Sequence, residues 1–215
     1  ANSLKIKRNR GVIMKGLILK DFYNLSRQNK VILAAIAFYI VFSVLNKDPA
    51  LFGGMLTFLM GMQTFSALAY DEKSKWDKYA LTMPVSRTDM VLSKYVLSGI
   101  LLFIAFAANL IFMIIAGTEP MQALTIASSM AGIGLFFIFV MLPVLFRFGV
   151  EKGRFIIMLI FLTPSLLALI GSKMGFEMPD ESFLRLLPLI CVIILVISGI
   201  VSVNVSLAVY RKKEM

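Results

Sequence analysis

The sequence contains no histidine and only one cysteine, Cys191. Without histidine the chain can form neither a histidine-ligated zinc or haem site nor a Ser-His or Cys-His catalytic pair. A single cysteine also excludes a disulfide within the chain. The sequence lacks the Walker A and G-x-G-x-x-G patterns, which bind nucleotide phosphates. These absences predict no catalytic residue, no metal site and no cofactor bound by this chain.

Charged residues are also missing from six long apolar runs, although 59% of the chain is hydrophobic. A helix needs about 20 apolar residues to cross the hydrocarbon of a bilayer, and a charge near its centre costs about 2.5–3.5 kcal/mol. The runs therefore predict an all-α integral membrane protein with a six-helix transmembrane domain over residues 31–210. The predicted spans are residues 31–45, 52–70, 95–116, 122–146, 155–170 and 186–210, with possible proline kinks at Pro143, Pro164 and Pro188.

Basic residues are distributed unevenly among the segments that separate the runs. With the N-terminus inside, 19 of the 22 Lys and Arg residues lie on the cytoplasmic side. The positive-inside rule then predicts that both termini are cytoplasmic, residues 211–215 being a short tail. The net charge of +10 reflects this rule and an attraction to anionic lipids, and it does not indicate a nucleic-acid partner. Residues 1–13 precede a natural start at Met14 and are interpreted as an extension or tag remnant.

Residues 14–30 have the pattern of an amphipathic helix ahead of the first span. Apolar residues recur on one stripe while most basic residues lie elsewhere, which is typical of a helix in the membrane interface. We therefore predict a cytoplasmic interfacial helix whose apolar face enters the acyl boundary. The stripe includes Leu17, Ile18, Phe22 and Leu25.

A charged loop, residues 71–94, separates the second and third runs, and nine of its 24 residues are charged. Its acids Asp71, Glu72 and Asp77 are interpreted as solvated helix flanks. Apolar residues at helical spacing predict a short helix that a proline then ends. A following S-x-x-D capping box predicts that the next helix begins at Ser86–Arg87. The helical stripe is Trp76, Tyr79, Ala80 and Met83, and the proline is Pro84.

Two segments carry a resemblance to a known family. Residues 14–23 (MKGLILKDFY) and 70–87 (YDEKSKWDKYALTMPVSR) together resemble the ABC-2 type permease family. The resemblance extends over residues 14–215. Within the family it is greatest to the small bacterial permeases of peptide exporters, such as those for the phenol-soluble modulins of staphylococci.

The resemblance implies the permease subunit of an exporter of amphipathic or hydrophobic peptides, in the cytoplasmic (inner) membrane of a bacterium. It also implies a homodimer that pairs with two copies of a separate ATP-binding subunit, to which ATP and Mg would bind. The charged loop would then contain the coupling helix that docks on this subunit, beside the interfacial helix. The implied coupling residues are Glu72, Lys75, Trp76, Lys78, Tyr79, Leu81, Met83, Pro84, Ser86 and Arg87.

Two other functions are compatible with the sequence. One is a membrane scaffold or immunity protein that sequesters a toxic peptide without transporting it. The other is an ion-coupled secondary transporter, which the charge-free apolar runs disfavour because such carriers use an intramembrane acid.

Overall fold

The computed structural model describes residues 2–80, 82–83, 85–173 and 181–212; for residues 2–10, 12, 77, 164–173 and 181–187 it describes the backbone alone. Within these ranges every regular element is an α-helix. The helices are α1 (Asn2–Ser26), α2 (Asn29–Leu45), α3 (Pro49–Lys73), α4 (Trp76–Ala80), α5 (Arg87–Ile115), α6 (Pro120–Lys173) and α7 (Glu181–Lys212).

Four helices of the described chain are long and apolar enough to cross a membrane: α3, α5, α6 and α7. A fifth span results if residues 13–26 and α2, which are bent by 71° at residues 27–28, count as one. The all-α membrane architecture is thus confirmed, but the predicted number of six spans is not reached by this criterion. The difference arises because α2 has only 17 residues and because the fourth and fifth predicted spans lie within one helix, α6.

The long helix α6 folds back on itself at Gly149. This residue has φ 76° and ψ 175°, a non-helical conformation that essentially only glycine adopts. The first arm (residues 120–148) and the second arm (residues 150–173) then run side by side. The ring centres of Phe137 and Phe161, 24 positions apart, lie 5.0 Å from each other. The reversal of the chain is therefore at this glycine, and the backbone at Pro143 and Pro164 stays helical.

The N-terminal helix α1 packs against the bundle. Leu17 and Leu25 are 7% and 5% exposed, and Leu25 joins a cluster with residues of α3 and α5, against which Ile18 and Phe22 also pack. The predicted stripe therefore faces the bundle, with Leu17 and Leu25 buried and Ile18 and Phe22 half-buried, and protein covers it where acyl chains were expected. The helix also begins at Asn2, within the stretch interpreted as an extension.

Helix α5 occupies the centre of the bundle and contacts α1, α3, α6 and α7. Its residues Val91, Leu97 and Ala105 have no exposed surface. The helix begins at Arg87 with Ser86 as its N-cap, at the position that the capping box predicts. The Ser86 hydroxyl accepts the Asp89 backbone N–H at 3.1 Å and donates to the Asp89 carboxylate at 2.6 Å.

Candidate functional site

Four segments that are distant in sequence meet at one end of the bundle. Contacts there join α1 to the charged loop, the charged loop to the reversal of α6, and the start of α5 to the end of α7. These are the segments that the sequence predicts on the cytoplasmic side. This end therefore brings most of the charged residues of the described chain into one region.

The centre of this region is an ionic cluster of Lys20, Asp21, Asp71 and Lys94, here called the charged quartet. Lys94 Nζ lies 2.7 Å from Asp21 Oδ2 and 2.5 Å from Asp71 Oδ2. Lys20 Nζ lies 2.5 Å from Asp71 Oδ1 and 3.2 Å from Asp21 Oδ1. Two cations and two anions alternate, so the charged quartet is neutral and joins α1, α3 and α5.

The charged quartet is shielded from solvent. The exposed fractions of the side chains are 0% for Asp21, 7% for Lys94, 11% for Asp71 and 22% for Lys20. Because buried charges cost several kcal/mol each when unpaired, the four side chains depend on one another. The interpretation of Asp71 as a solvated helix flank is therefore wrong. The side chain of Asp77 lies outside the described residues.

Trp76 connects α4 to the charged quartet. Lys20 Nζ lies 4.3 Å from the centre of the Trp76 ring, within the range of a cation–π interaction. The indole also packs against the buried cluster that contains Met90, Phe146 and Tyr210. A cavity of about 50 Å³ between Trp76 and the charged quartet is large enough for water. Trp76 is thus half-buried and holds α4 against the bundle.

The opposite side of the charged loop is open to solvent. Lys75, with φ 51°, follows the end of α3 and redirects the chain into α4. Tyr79 is then 63% exposed and Met83 49% exposed, next to the exposed Lys75 and Lys78. Leu81 and Pro84, which the sequence predicts as coupling residues, lie outside the described residues. The described part of the loop presents an aromatic and a thioether side chain among lysines.

The exit of the charged loop is fixed to the C-terminal end of α7. The guanidinium of Arg87 donates to the Arg211 carbonyl oxygen at 2.6 Å. Carbonyl groups at a helix end lack partners within the helix and favour cationic donors. Together with the Ser86 cap, this bond fixes the start of α5 against the C-terminal end of α7.

Glu72 connects the charged loop to the reversal of α6. Its Oε2 accepts the backbone N–H of Val150 at 2.6 Å. Val150 is the first residue of the second arm. An added Cβ on Gly149 would lie 3.1 Å from Glu72 Oε1. The carboxylate thus caps the second arm and occupies the space that the missing side chain leaves.

Lys20, Asp21 and Lys94 are not among the site residues that the sequence predicts. One signal was present, since Asp21 follows three apolar residues and Lys20 within the amphipathic segment, where a charge has to find a partner to be buried. Nothing local identifies Asp71 and Lys94 as that partner. The reversal of α6 lies within residues 147–154, the segment predicted between the fourth and fifth spans, but the sequence pattern does not distinguish Gly149 from Gly153 as its position.

The fold and this site define a multi-pass helical membrane protein in which three helices are joined by ionic contacts at one end. The family model described as "ABC-2 family transporter protein" matches residues 16–211. The chain therefore belongs to the ABC-2 transporter family, as the resemblance of its motifs indicated. Permeases of this family are membrane transport subunits that pair with a separate ATPase subunit and are generally not catalytic. No curated protein and no solved structure matches the chain significantly.

Proposed function

We propose that this chain is the permease of an ATP-driven exporter and that the charged loop docks on a separate ATP-binding subunit. The observation that carries the proposal is the two-sided environment of α4. Trp76 on one side is held by Lys20 and the buried cluster, whereas Tyr79 on the other side is 63% exposed. A surface loop that is fixed from behind can transmit force from a partner to the helices it joins.

The two aromatic residues of α4 have different roles in this proposal. Exposed Tyr79 and Met83 supply apolar contact area, and tyrosine is among the residues that contribute most at protein interfaces. Lys75 and Lys78 surround them and favour a partner surface with acidic groups. Trp76 sets the orientation of α4 through its contact with the charged quartet, and it contributes less contact area with the partner than Tyr79 and Met83 do.

In this proposal the chain has six spans. The charged loop and both termini lie in the cytoplasm. The bias of basic residues and their gathering at one end of the bundle support this orientation. The antiparallel arms of α6 support two spans within that helix. The resemblance implies a homodimer that pairs with two ATP-binding subunits, which hold Mg and ATP. It also implies a location in the cytoplasmic membrane of a bacterium.

The proposed substrate is an amphipathic or hydrophobic peptide. Its support is the resemblance to small permeases of bacterial peptide exporters, together with the apolar runs that contain no charged residue. Such runs suit a solute that enters from the membrane, because a strongly hydrated solute would leave its polar groups unpaired there.

The docking surface can be tested with the double variant Tyr79→Ala, Met83→Ala in the full-length chain, co-expressed with its ATP-binding subunit. Loss of an interfacial anchor costs 2 kcal/mol or more, so we expect the affinity of the two subunits to fall about 30-fold or more. Co-purified ATP-binding subunit and stimulated ATP hydrolysis should decrease together. The measurements are the subunit ratio after affinity purification and the dissociation constant of the purified partners.

A matched control is Tyr23→Ala, which removes a tyrosine of α1 that is 74% exposed, somewhat more than Tyr79 at 63%. Equal losses in both variants, or none in either, would contradict the assignment of the charged loop. Two further measurements separate the alternatives. A sequestering scaffold would protect cells from the peptide even beside an ATP-binding subunit that cannot hydrolyse ATP. An ion-coupled carrier would take up peptide into proteoliposomes under an ion gradient, with no ATP-binding subunit present.

A further inference from the structure

An apolar cleft of about 770 Å³ lies between α3 and both arms of α6. Its size falls in the range of about 300–1,000 Å³ that is typical of ligand-binding cavities. Four phenylalanines and four methionines contribute to its walls, among them Phe58, Phe65, Met158 and Phe161. Methionine side chains are flexible and adapt to ligands of irregular shape. The cleft thus has the lining of a site for a long apolar group.

One charged residue, Arg154, stands among the described residues that line the cleft. Its guanidinium carbon lies 5.4 Å from the centre of the Phe65 ring, and no carboxylate of the described chain lies within ion-pair distance of it. It sits one turn beyond Val150, whose amide is capped by Glu72. The cleft therefore has a cation at the end of the bundle where the charged residues gather, and apolar walls along the rest of its length.

The cleft opens towards the region that lipid hydrocarbon occupies. Its lining residues Phe58, Ile133 and Met158 are 55%, 65% and 64% exposed, and they lie in helices that meet the criterion for membrane spans. Exposed apolar side chains of such helices face acyl chains. Arg154 then lies near the depth of the lipid headgroups, where a long basic side chain can extend to the interface.

We propose that this cleft binds a membrane phospholipid with an anionic headgroup, with one acyl chain along the phenylalanine and methionine walls and the headgroup at Arg154. Acyl chains need no hydrogen-bond partners, and Thr57 and Arg154 are the lining residues with polar side chains. A peptide in an extended conformation would leave backbone amides unpaired there. A second copy of the chain would bury the Arg154 guanidinium, which is costly unless that copy supplies a carboxylate.

The test uses the full-length chain and two lipids, phosphatidylglycerol and phosphatidylcholine, with native mass spectrometry to count the molecules retained. One basic residue near an anionic surface gives roughly a fivefold preference, so we expect the unchanged chain to retain phosphatidylglycerol about five times better. Arg154→Gln should remove this preference. Arg147→Gln is the matched control, because Arg147 is exposed near the same end and stacks on Phe148 but does not line the cleft.

A second variant, Met158→Trp, tests whether the cleft itself holds the chain. The larger ring should narrow the cleft and lower the retention of both lipids, while the lipid that still binds keeps the preference for the anionic headgroup. Equal effects of Arg154→Gln and Arg147→Gln would overturn the proposal in favour of general surface attraction. A dimer that dissociates on Met158→Trp with lipid retention unchanged would assign the cleft to a second copy. The measurement uses no nucleotide and no ATP-binding subunit, so its outcome is independent of the transport proposal.

Discussion

Replacing Lys94 with methionine is expected to lower the free energy of unfolding by about 3–5 kcal/mol, because removing one partner from a buried ion pair leaves an uncompensated charge. Lys94 neutralises two carboxylates at once, at 2.7 Å from Asp21 and 2.5 Å from Asp71. After the substitution Lys20 alone would face both acids. The loss of stability should weaken the packing of α1 against α3 and α5, since the charged quartet joins these three helices.

The lone tryptophan provides the measurement. Trp76 lies over Lys20, so its fluorescence should report the loss of the charged quartet during thermal or denaturant unfolding in detergent. Lys78→Met is the control, because Lys78 is an exposed lysine of the same loop and its loss should change stability by no more than about 0.5 kcal/mol. The double variant Asp21→Asn, Lys94→Met restores neutrality and should lose less than the sum of the single variants. Equal stabilities of Lys94→Met and Lys78→Met would refute the structural role of the charged quartet.

The second large effect is expected for Gly149→Ala. A residue with a side chain is strained in this backbone region by about 1–3 kcal/mol. The new Cβ would also lie 3.1 Å from Glu72 Oε1 and disturb the cap on Val150, which is worth about 1 kcal/mol. We therefore expect a loss of about 2–4 kcal/mol in stability and a wider separation of the two arms of α6.

The arms provide a direct readout of this variant. A pair of spin labels or a cysteine cross-link near the facing positions 137 and 161 should report their separation, alongside unfolding measurements. Gly99→Ala is the matched control, since nothing lies within 4 Å of its added Cβ and its backbone is helical. That control should be neutral or more stable by up to about 1 kcal/mol. A stable Gly149→Ala protein with unchanged arm separation would show that the reversal does not need glycine.

Local rules of the sequence predicted much of the fold. The charge-free runs coincide with the apolar helices because a charge in hydrocarbon is too costly to retain. The start of α5 was predicted because the Ser86 and Asp89 side chains act within one helical turn. The apolar stripe of α1 was identified from its spacing, but the same spacing suits lipid or protein as the covering surface. Only the tertiary contacts of Leu17 and Leu25 distinguish the two.

Features that depend on distant residues could not be predicted in this way. The bonds of the charged quartet connect positions 51 and 73 residues apart, and no local pattern specifies such partners. The reversal of α6 falls within residues 147–154, the segment between the predicted fourth and fifth spans, but no local pattern specifies Gly149 as its position, and the backbone at Pro143 remains helical. A proline removes one hydrogen bond and leaves φ close to helical, whereas a reversal needs positive φ, which favours glycine.

The long sequence separations within the charged quartet also set an order of events during synthesis of the chain. Lys20 and Asp21 leave the ribosome first, but Lys94, which binds Asp21, follows 73 residues later. At about 5–20 residues per second this delay is roughly 4–15 s. Helices α2 and α3 are made within that interval, so α1 has to wait beside the membrane while Asp21 has only the adjacent Lys20 as an ionic partner. The N-terminal helix can therefore lock onto the bundle only when the third apolar helix begins to emerge.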